Sequence, residues 1–279
     1  MNIKSTVTLS NGVKMPRFGL GVWQINNGKD TANAVHEALE SGYVLIDTAA
    51  VYGNEEGVGE GLKDFRRDEF FLATKVWNDD QGYDTTLKAC EISLKKLGLD
   101  FVDLYLVHWP VKGRFADTWR AMERLYEEGL TRAIGVSNFT EFHINEIYKN
   151  AHVPPMVNQI EISPFITQTS LREFCTQEGI AVEAYSPLGR AKILKDPQLV
   201  KIGTKYGKTP AQIILRWHLQ NNIIPIPKSS HAQRIRENAD IFDFELSAEE
   251  LKTISALNQN KHAIKQSFFS FDEHGSVVL

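Results

Sequence analysis

The chain has 279 residues, 42% of them hydrophobic and 24% charged, enough to bury one sizeable core. Its formal net charge of -4 argues against a general nucleic-acid or membrane-surface binder, while leaving room for one local basic pocket. No apolar run is long enough to span a bilayer and no linker divides the sequence, so residues 1–279 are expected to form a single domain.

Cys90 and Cys175 stand far apart, without a CxxC neighbour, on apolar helical positions. They read as buried thiols in a reducing compartment. The histidines show neither HExxH nor Cys-paired spacing, so no metal site is expected. The opening Met1-Asn2-Ile3-Lys4-Ser5 lacks the apolar core of a signal peptide, which points to the cytoplasm. We expect a monomer that meets small molecules and neither nucleic acid nor membrane.

In chain order, residues 6–9 and 13–15 flank Ser10-Asn11-Gly12, whose Asn-Gly step supplies the positive φ angles of a tight hairpin turn. This hairpin reads as a lid or plug. Strands are then expected at 17–20, 44–46, 70–75, 102–107, 133–136, 157–162, 181–185 and 223–226. Between them lie helix-period stripes: Val35, Ala38, Leu39 and Gly42; Leu87, Cys90, Leu94 and Leu97; Phe115, Trp119, Met122 and Tyr126. Thr209-Pro210 and Ser247-Ala248-Glu249-Glu250 carry helix-start signals. Eight strand–helix alternations in a chain of this length favour a closed parallel α/β barrel, the (β/α)8 or TIM barrel, over an open doubly wound sheet.

Two glycine-rich stretches imitate phosphate loops. In Gly57-Val58-Gly59-Glu60-Gly61 the third glycine comes one position early and no strand immediately precedes it. The stretch from Gly203 to Thr209 has one residue too few between its glycines. Helix packing and a helix start explain them better.

Polar residues collect where the strands end. Asp47, Lys75, His108, Ser137-Asn138, Gln159, Tyr185 and Lys228 each lie at or just past the C-terminal end of an expected strand. In a barrel those ends share one rim, where such folds build their active sites. Taken singly, each residue has an ordinary explanation such as a helix cap or a satisfied core histidine; taken together they indicate proton chemistry. Lys75 closes an apolar run, and an ammonium there requires a carboxylate, which Asp47 supplies. Tyr52 follows at short range. A free phenol titrates near ~10, and a neighbouring cation favours its phenolate and eases proton donation. His108, as a neutral imidazole, could orient a substrate oxygen. Such a site polarises a carbonyl and protonates the forming alkoxide, and it needs a hydride donor.

The motifs Gly42-x-x-x-Ile-Asp47-Thr-Ala-x-x-Tyr52-Gly-Asn-Glu55, Thr-Lys75-Val-Trp77, Asp-Leu-Tyr-Leu-Val-His108-Trp109-Pro, Ile-Gly-Val-Ser137-Asn138-Phe, Asn-Gln159-Ile-Glu, Ala-Tyr185-Ser186-Pro-Leu188-Gly and Ile-Pro-Lys228-Ser229 follow one another along the chain. In this order they resemble the aldo-keto reductases from end to end. The resemblance implies an eight-stranded β/α barrel and NADPH-dependent reduction of aldehydes or ketones to alcohols. It matches Asp47, Tyr52, Lys75 and His108 to the family's catalytic tetrad, with Tyr52 as the acid. Ser137, Asn138 and Gln159 match the groups that hold the nicotinamide carboxamide, and Tyr185 the aromatic on which the ring stacks. Ser186 and Leu188 match the loop along the pyrophosphate, Lys228, Ser229 and Arg234 the cage around the 2′-phosphate, and Glu237 and Asn238 the adenine contacts.

Trp23, Trp77 and Trp109 match the walls of the family's substrate pocket, together with His108, and the tail Phe268-Phe269-x-Phe271 could add a lid. The C-terminal region and loops are shorter than in the vertebrate steroid and aldose reductases. The chain is similar to the compact microbial branch, which includes reductases of glyoxal, methylglyoxal and diketogluconate and a prostaglandin-forming protozoal enzyme. A broad small-carbonyl reductase is therefore expected. The alternative is a cofactor-binding regulatory or structural protein on the same barrel, against which the intact tetrad speaks.

Overall fold

The computed structural model describes residues 1–263 and 270–279. A hairpin of β1 (Thr6–Thr8) and β2 (Lys14–Pro16) leads into eight parallel strands: β3 (Gly19–Gly21), β4 (Leu45–Asp47), β5 (Phe71–Val76), β6 (Leu104–Val107), β7 (Ile134–Ser137), β8 (Val157–Glu161), β9 (Ala181–Tyr185) and β10 (Ile223–Pro225). Each pairs with the next in sequence order. A parallel bridge between Gly21 and Lys228, with Gly21 N–H donating to Pro227 O at 3.3 Å, joins β3 to the segment after β10 and closes the ring. Every residue of β5 is buried, as expected of a strand covered on both faces. The expected strands all form, with ends shifted by one or two residues.

Helices cover the outside. Lys29–Glu40 buries Val35, Ala38 and Leu39, whereas Gly42 lies beyond its end with φ +89°, so it stops the helix rather than continuing the stripe. The first glycine-rich stretch lies in helix Glu55–Leu62. A Cβ on Gly59 would come within 2.4 Å of Leu97 O, and one on Gly61 within 2.6 Å of Ala32 O. These glycines let helices approach closely. In the second stretch, Gly207 (φ +64°) ends helix Pro197–Tyr206, and a reciprocal Thr209–Gln212 capping box starts Pro210–Gln220. Cys90 and Cys175 are free and buried.

The two ends of the barrel are closed differently. Asn11 Nδ2 donates to Arg132 O (2.9 Å) and Arg17 Nη1 to Asn222 Oδ1 (3.1 Å), both just ahead of strands. The N-terminal hairpin is therefore a plug on the end opposite the rim. At the rim, β11 (Ser270–Phe271) pairs with β12 (Val277–Val278), and Val277 N–H donates to Pro110 O at 2.8 Å. Glu161, at the end of β8, accepts from His262 Nδ1 (2.8 Å) and Ala263 N–H (2.6 Å). These bonds bring the C-terminal segment over the pocket side. Phe268 and Phe269 lie outside the described residues; Phe271 sits 5.8 Å from Trp109, centroid to centroid.

Candidate active site

Asp47 is the last residue of β4, and Lys75 the last but one of β5. Their strands are neighbours, so the side chains meet. Lys75 Nζ donates to both carboxylate oxygens of Asp47 at 2.7 Å and to Thr48 O at 2.8 Å, with no part of the lysine exposed. Asp47 Oδ2 also accepts from Gln159 Nε2 at 2.8 Å. Burial raises the Asp47 carboxyl above its ordinary value, and the charge and hydrogen bonds of Lys75, with the Gln159 amide, act against that rise. Burial alone would strip the ammonium of its proton, yet Asp47 beside it raises the Lys75 pKa above its ordinary value.

Tyr52 ends a short 3-10 turn (Ala50–Tyr52), after which Gly53 takes φ +65°. The next two residues fasten this turn. Asn54 accepts from Thr48 Oγ1 (2.9 Å) and donates to Val22 O and Ile25 O, while Glu55 accepts from Thr74 Oγ1 (2.7 Å). Lys75 Nζ lies 5.1 Å from the centre of the Tyr52 ring. Burial pushes the phenol up to about 12, and Lys75 is the strongest influence pulling it down. Desolvation thus outweighs the cation, and the phenol holds its proton at neutral pH, as a proton donor must.

His108 follows β6, with its ring 5.7 Å from Tyr52 and 5.1 Å from Trp77. Burial and the Lys75 charge hold its pKa well below the ordinary value, so the imidazole is neutral. Trp23, Val51, Tyr52, Trp77, His108 and Trp109 line a cavity of about 370 Å³ at the rim. Tetrad and tryptophans therefore meet around one largely aromatic chamber.

The floor of that chamber is polar. Ser137 Oγ donates to Gln159 O (2.8 Å), Asn138 Nδ2 to His108 O (3.0 Å), and Tyr185 Oη to Asn138 Oδ1 (2.7 Å). Asn138 and Ser186 hold φ of +63° and +48°, strained backbone of the kind found where a ligand is clamped. Gln159 differs from its expected place. It lies at the middle of β8, not at its end, and Nε2 is shared between Asp47 and Glu183.

A second cavity, of about 480 Å³, continues from the first through Trp23, Ser186 and Lys228. Leu188, Ser229, Arg234, Glu237 and Asn238 line it. Lys228 and Arg234 are exposed and have no ion-pair partner among the described residues. Arg234 lies in the first turn of helix Ala232–Ala239, where the helix end adds positive potential. Apart from the tail residues Phe268, Phe269 and Phe271, the sequence-expected residues line one elongated, two-chambered groove or, like Lys75 and Ser137, lie buried behind its wall. Sequence reading missed Glu183, and it missed the contacts across the groove. Arg190 lies 5.4 Å over Trp23 and donates to Gln24 Oε1 (3.2 Å), joining the loops after β9 and β3. Only Glu183 left a sequence signal, as a carboxylate inside an apolar strand.

The groove suits a dinucleotide phosphate: an aromatic and amide-lined chamber at one end and, at the other, two exposed cations with no ion-pair partner among the described residues. Comparison with known proteins agrees. The profile of the Aldo/keto reductase family matches residues 17–259. The chain is 53% identical over 262 residues to glyoxal reductase of Bacillus subtilis (strain 168), covering 93% of this chain and 95% of that one. It is 52% identical over 260 residues to 9,11-endoperoxide prostaglandin H2 reductase of Trypanosoma cruzi (strain CL Brener), covering 91% and 92%. Among solved structures, a Bombyx mori aldo-keto reductase in complex with NADP superposes with a TM-score of 0.91 at 38% identity, covering 97% of this chain and 98% of that chain. With the barrel, the groove and the matched profile in agreement, the chain belongs to the aldo/keto reductase family.

Proposed function

We propose that this chain reduces small aldehydes and ketones, dicarbonyls such as glyoxal or methylglyoxal among them, with Tyr52 as proton donor and NADPH as hydride source. The observation that carries the reading is the buried Lys75–Asp47 pair with its ammonium beside the Tyr52 ring, on the wall of an aromatic cavity. The carbonyl oxygen is received between Tyr52 and His108. Neutral His108 orients it, and Tyr52 gives its proton to the oxygen as negative charge develops there. Lys75 stabilises the phenolate that remains, and Asp47 keeps the ammonium charged in a site where water does not.

When bound, NADPH supplies the hydride. Ser137, Asn138 and Gln159 would hold the carboxamide, Tyr185 would stack on the ring, and Ser186 and Leu188 would line the path of the pyrophosphate. Lys228, Ser229 and Arg234 would take the 2′-phosphate, which NADH lacks, and Glu237 and Asn238 would meet the adenine. The glyoxal reductase named above supports the dicarbonyl class. A chamber walled by Trp23, Trp77 and Trp109 suits small, mostly apolar carbonyls. Two buried free thiols fit a reducing cytoplasm. Incubation with NADPH and a panel of aldehydes, glyoxal and methylglyoxal included, tests this by loss of nicotinamide absorbance. Turnover is expected; NADPH binding without turnover on any member would instead mark a cofactor-binding protein.

A further inference from the structure

The reaction described above leaves unused a buried carboxyl that touches its own hydrogen-bond network. Glu183, on β9, is fully buried inside the barrel, in register with Gln159 of β8 and Ile224 of β10. Its Oε2 accepts from Gln159 Nε2 at 2.7 Å, and its Oε1 has no hydrogen-bond partner among the described residues. The same Gln159 nitrogen donates to Asp47 Oδ2 at 2.8 Å. Both amide protons are thus committed to carboxyl oxygens, and the amide oxygen of Gln159 is left for whatever occupies the chamber that Gln159 lines.

An apolar residue such as its neighbour Ile224 would fill position 183 at lower cost, because a buried carboxyl with a bare oxygen is expensive. The groups that face it are few. Asp47 comes from β4, Lys75 from β5 and Tyr52 from the turn after β4, while β8 contributes neutral Gln159 and β10 apolar Ile224. One ammonium therefore serves two carboxyls. We propose that Glu183 is a positioning residue: it holds Gln159 against Asp47, and its charge state sets how readily Tyr52 surrenders its proton. This rests on the reductase reading above.

Burial, followed by repulsion from Asp47, pushes the Glu183 carboxyl up to about 8. Below that pH Glu183 is neutral, and the Lys75 and Asp47 charges cancel. Above it the cluster gains a negative charge that raises the cost of a phenolate at Tyr52, as the influence of Glu183 on that phenol requires. Reduction therefore slows as pH rises through about 8. Stability has the same sign: the folded chain binds a proton that the unfolded one releases near an ordinary carboxylate pH, so stability falls as pH rises from there to about 8.

Two measurements test this. In the native chain, kcat/KM for reduction should fall roughly tenfold between pH 7 and pH 9, the effect of one pK unit of coupling. In Glu183→Gln that fall should shrink to less than about twofold, since the amide keeps the shape but cannot ionise. Carbon-13 NMR of the native chain labelled at glutamate carboxyls should show one carboxyl titrating near 8, whether or not the variant folds. An unchanged pH profile in Glu183→Gln, or glutamates that all titrate in the ordinary carboxylate range, overturns the proposal. A chain in which that carboxyl titrates near 8 but no carbonyl is reduced at any pH overturns the reductase reading, and the role with it.

Discussion

Two aspartates, one at each end of the barrel, make the same kind of ion pair for different purposes. Asp103, just ahead of β6, accepts from Arg67 at 2.6 Å, from Arg132 at 2.9 Å and from Leu72 N–H at 2.8 Å. Its side chain is 1% exposed, but the arginines reach solvent at 24% and 53%. Asp47, at the other end, holds a lysine with no exposure, and the pair borders a cavity. At the plugged end, charge fastens helix and loop to a strand. At the rim the charge is kept from water and set beside a phenol, an arrangement costly for folding that the proposed proton chemistry would use.

The largest expected effect separates the two ends. Asp47→Asn combined with Lys75→Met should lower kcat for reduction by about 10²–10⁴-fold. Because both charges go together, urea unfolding should stay within about 1–2 kcal/mol of native. Asp103→Ala should do the reverse, costing about 3 kcal/mol in the same unfolding measurement while activity per folded molecule holds. If Asp103→Ala lowers kcat as far as the rim variant does, the division between the ends fails. Arg234→Ala sharpens the contrast along the groove: loss of a charge-assisted phosphate contact should weaken NADPH by about 10–100-fold and leave NADH nearly untouched. Titration of tryptophan fluorescence with each nucleotide reads this directly, and equal weakening would contradict the phosphate cage. Phe271→Ala, which removes a ring packed on Trp109, should raise KM for small aldehydes by about 2–10-fold with kcat held.

The barrel was legible because most strands are short apolar runs that end on, or just before, a polar residue. Chain order then put Asp47, Lys75 and His108 on one rim. Asp47 follows its apolar run and Asp103 stands near the start of one, so sequence could separate the two ends; it could not show that Asp103 is held by Arg67 and Arg132. Nor could it find Glu183, whose meaning comes from its register with Gln159 across two strands. The Tyr52 phenol shows a third limit. A neighbouring lysine suggests a lowered pKa, but the depth of burial decides the sign, and here it lifts the phenol to about 12. The N-terminal hairpin was recognisable as a hairpin, while its place at the plugged end depended on contacts with Arg132 and Asn222 far along the chain.

Tyr52→Phe tests the central claim most directly, because it removes one oxygen and leaves the groove lined as before. NADPH should still quench tryptophan fluorescence with near-native affinity, while turnover of glyoxal should fall by about 10²–10⁴-fold. Native turnover in Tyr52→Phe would show that the proton comes from elsewhere.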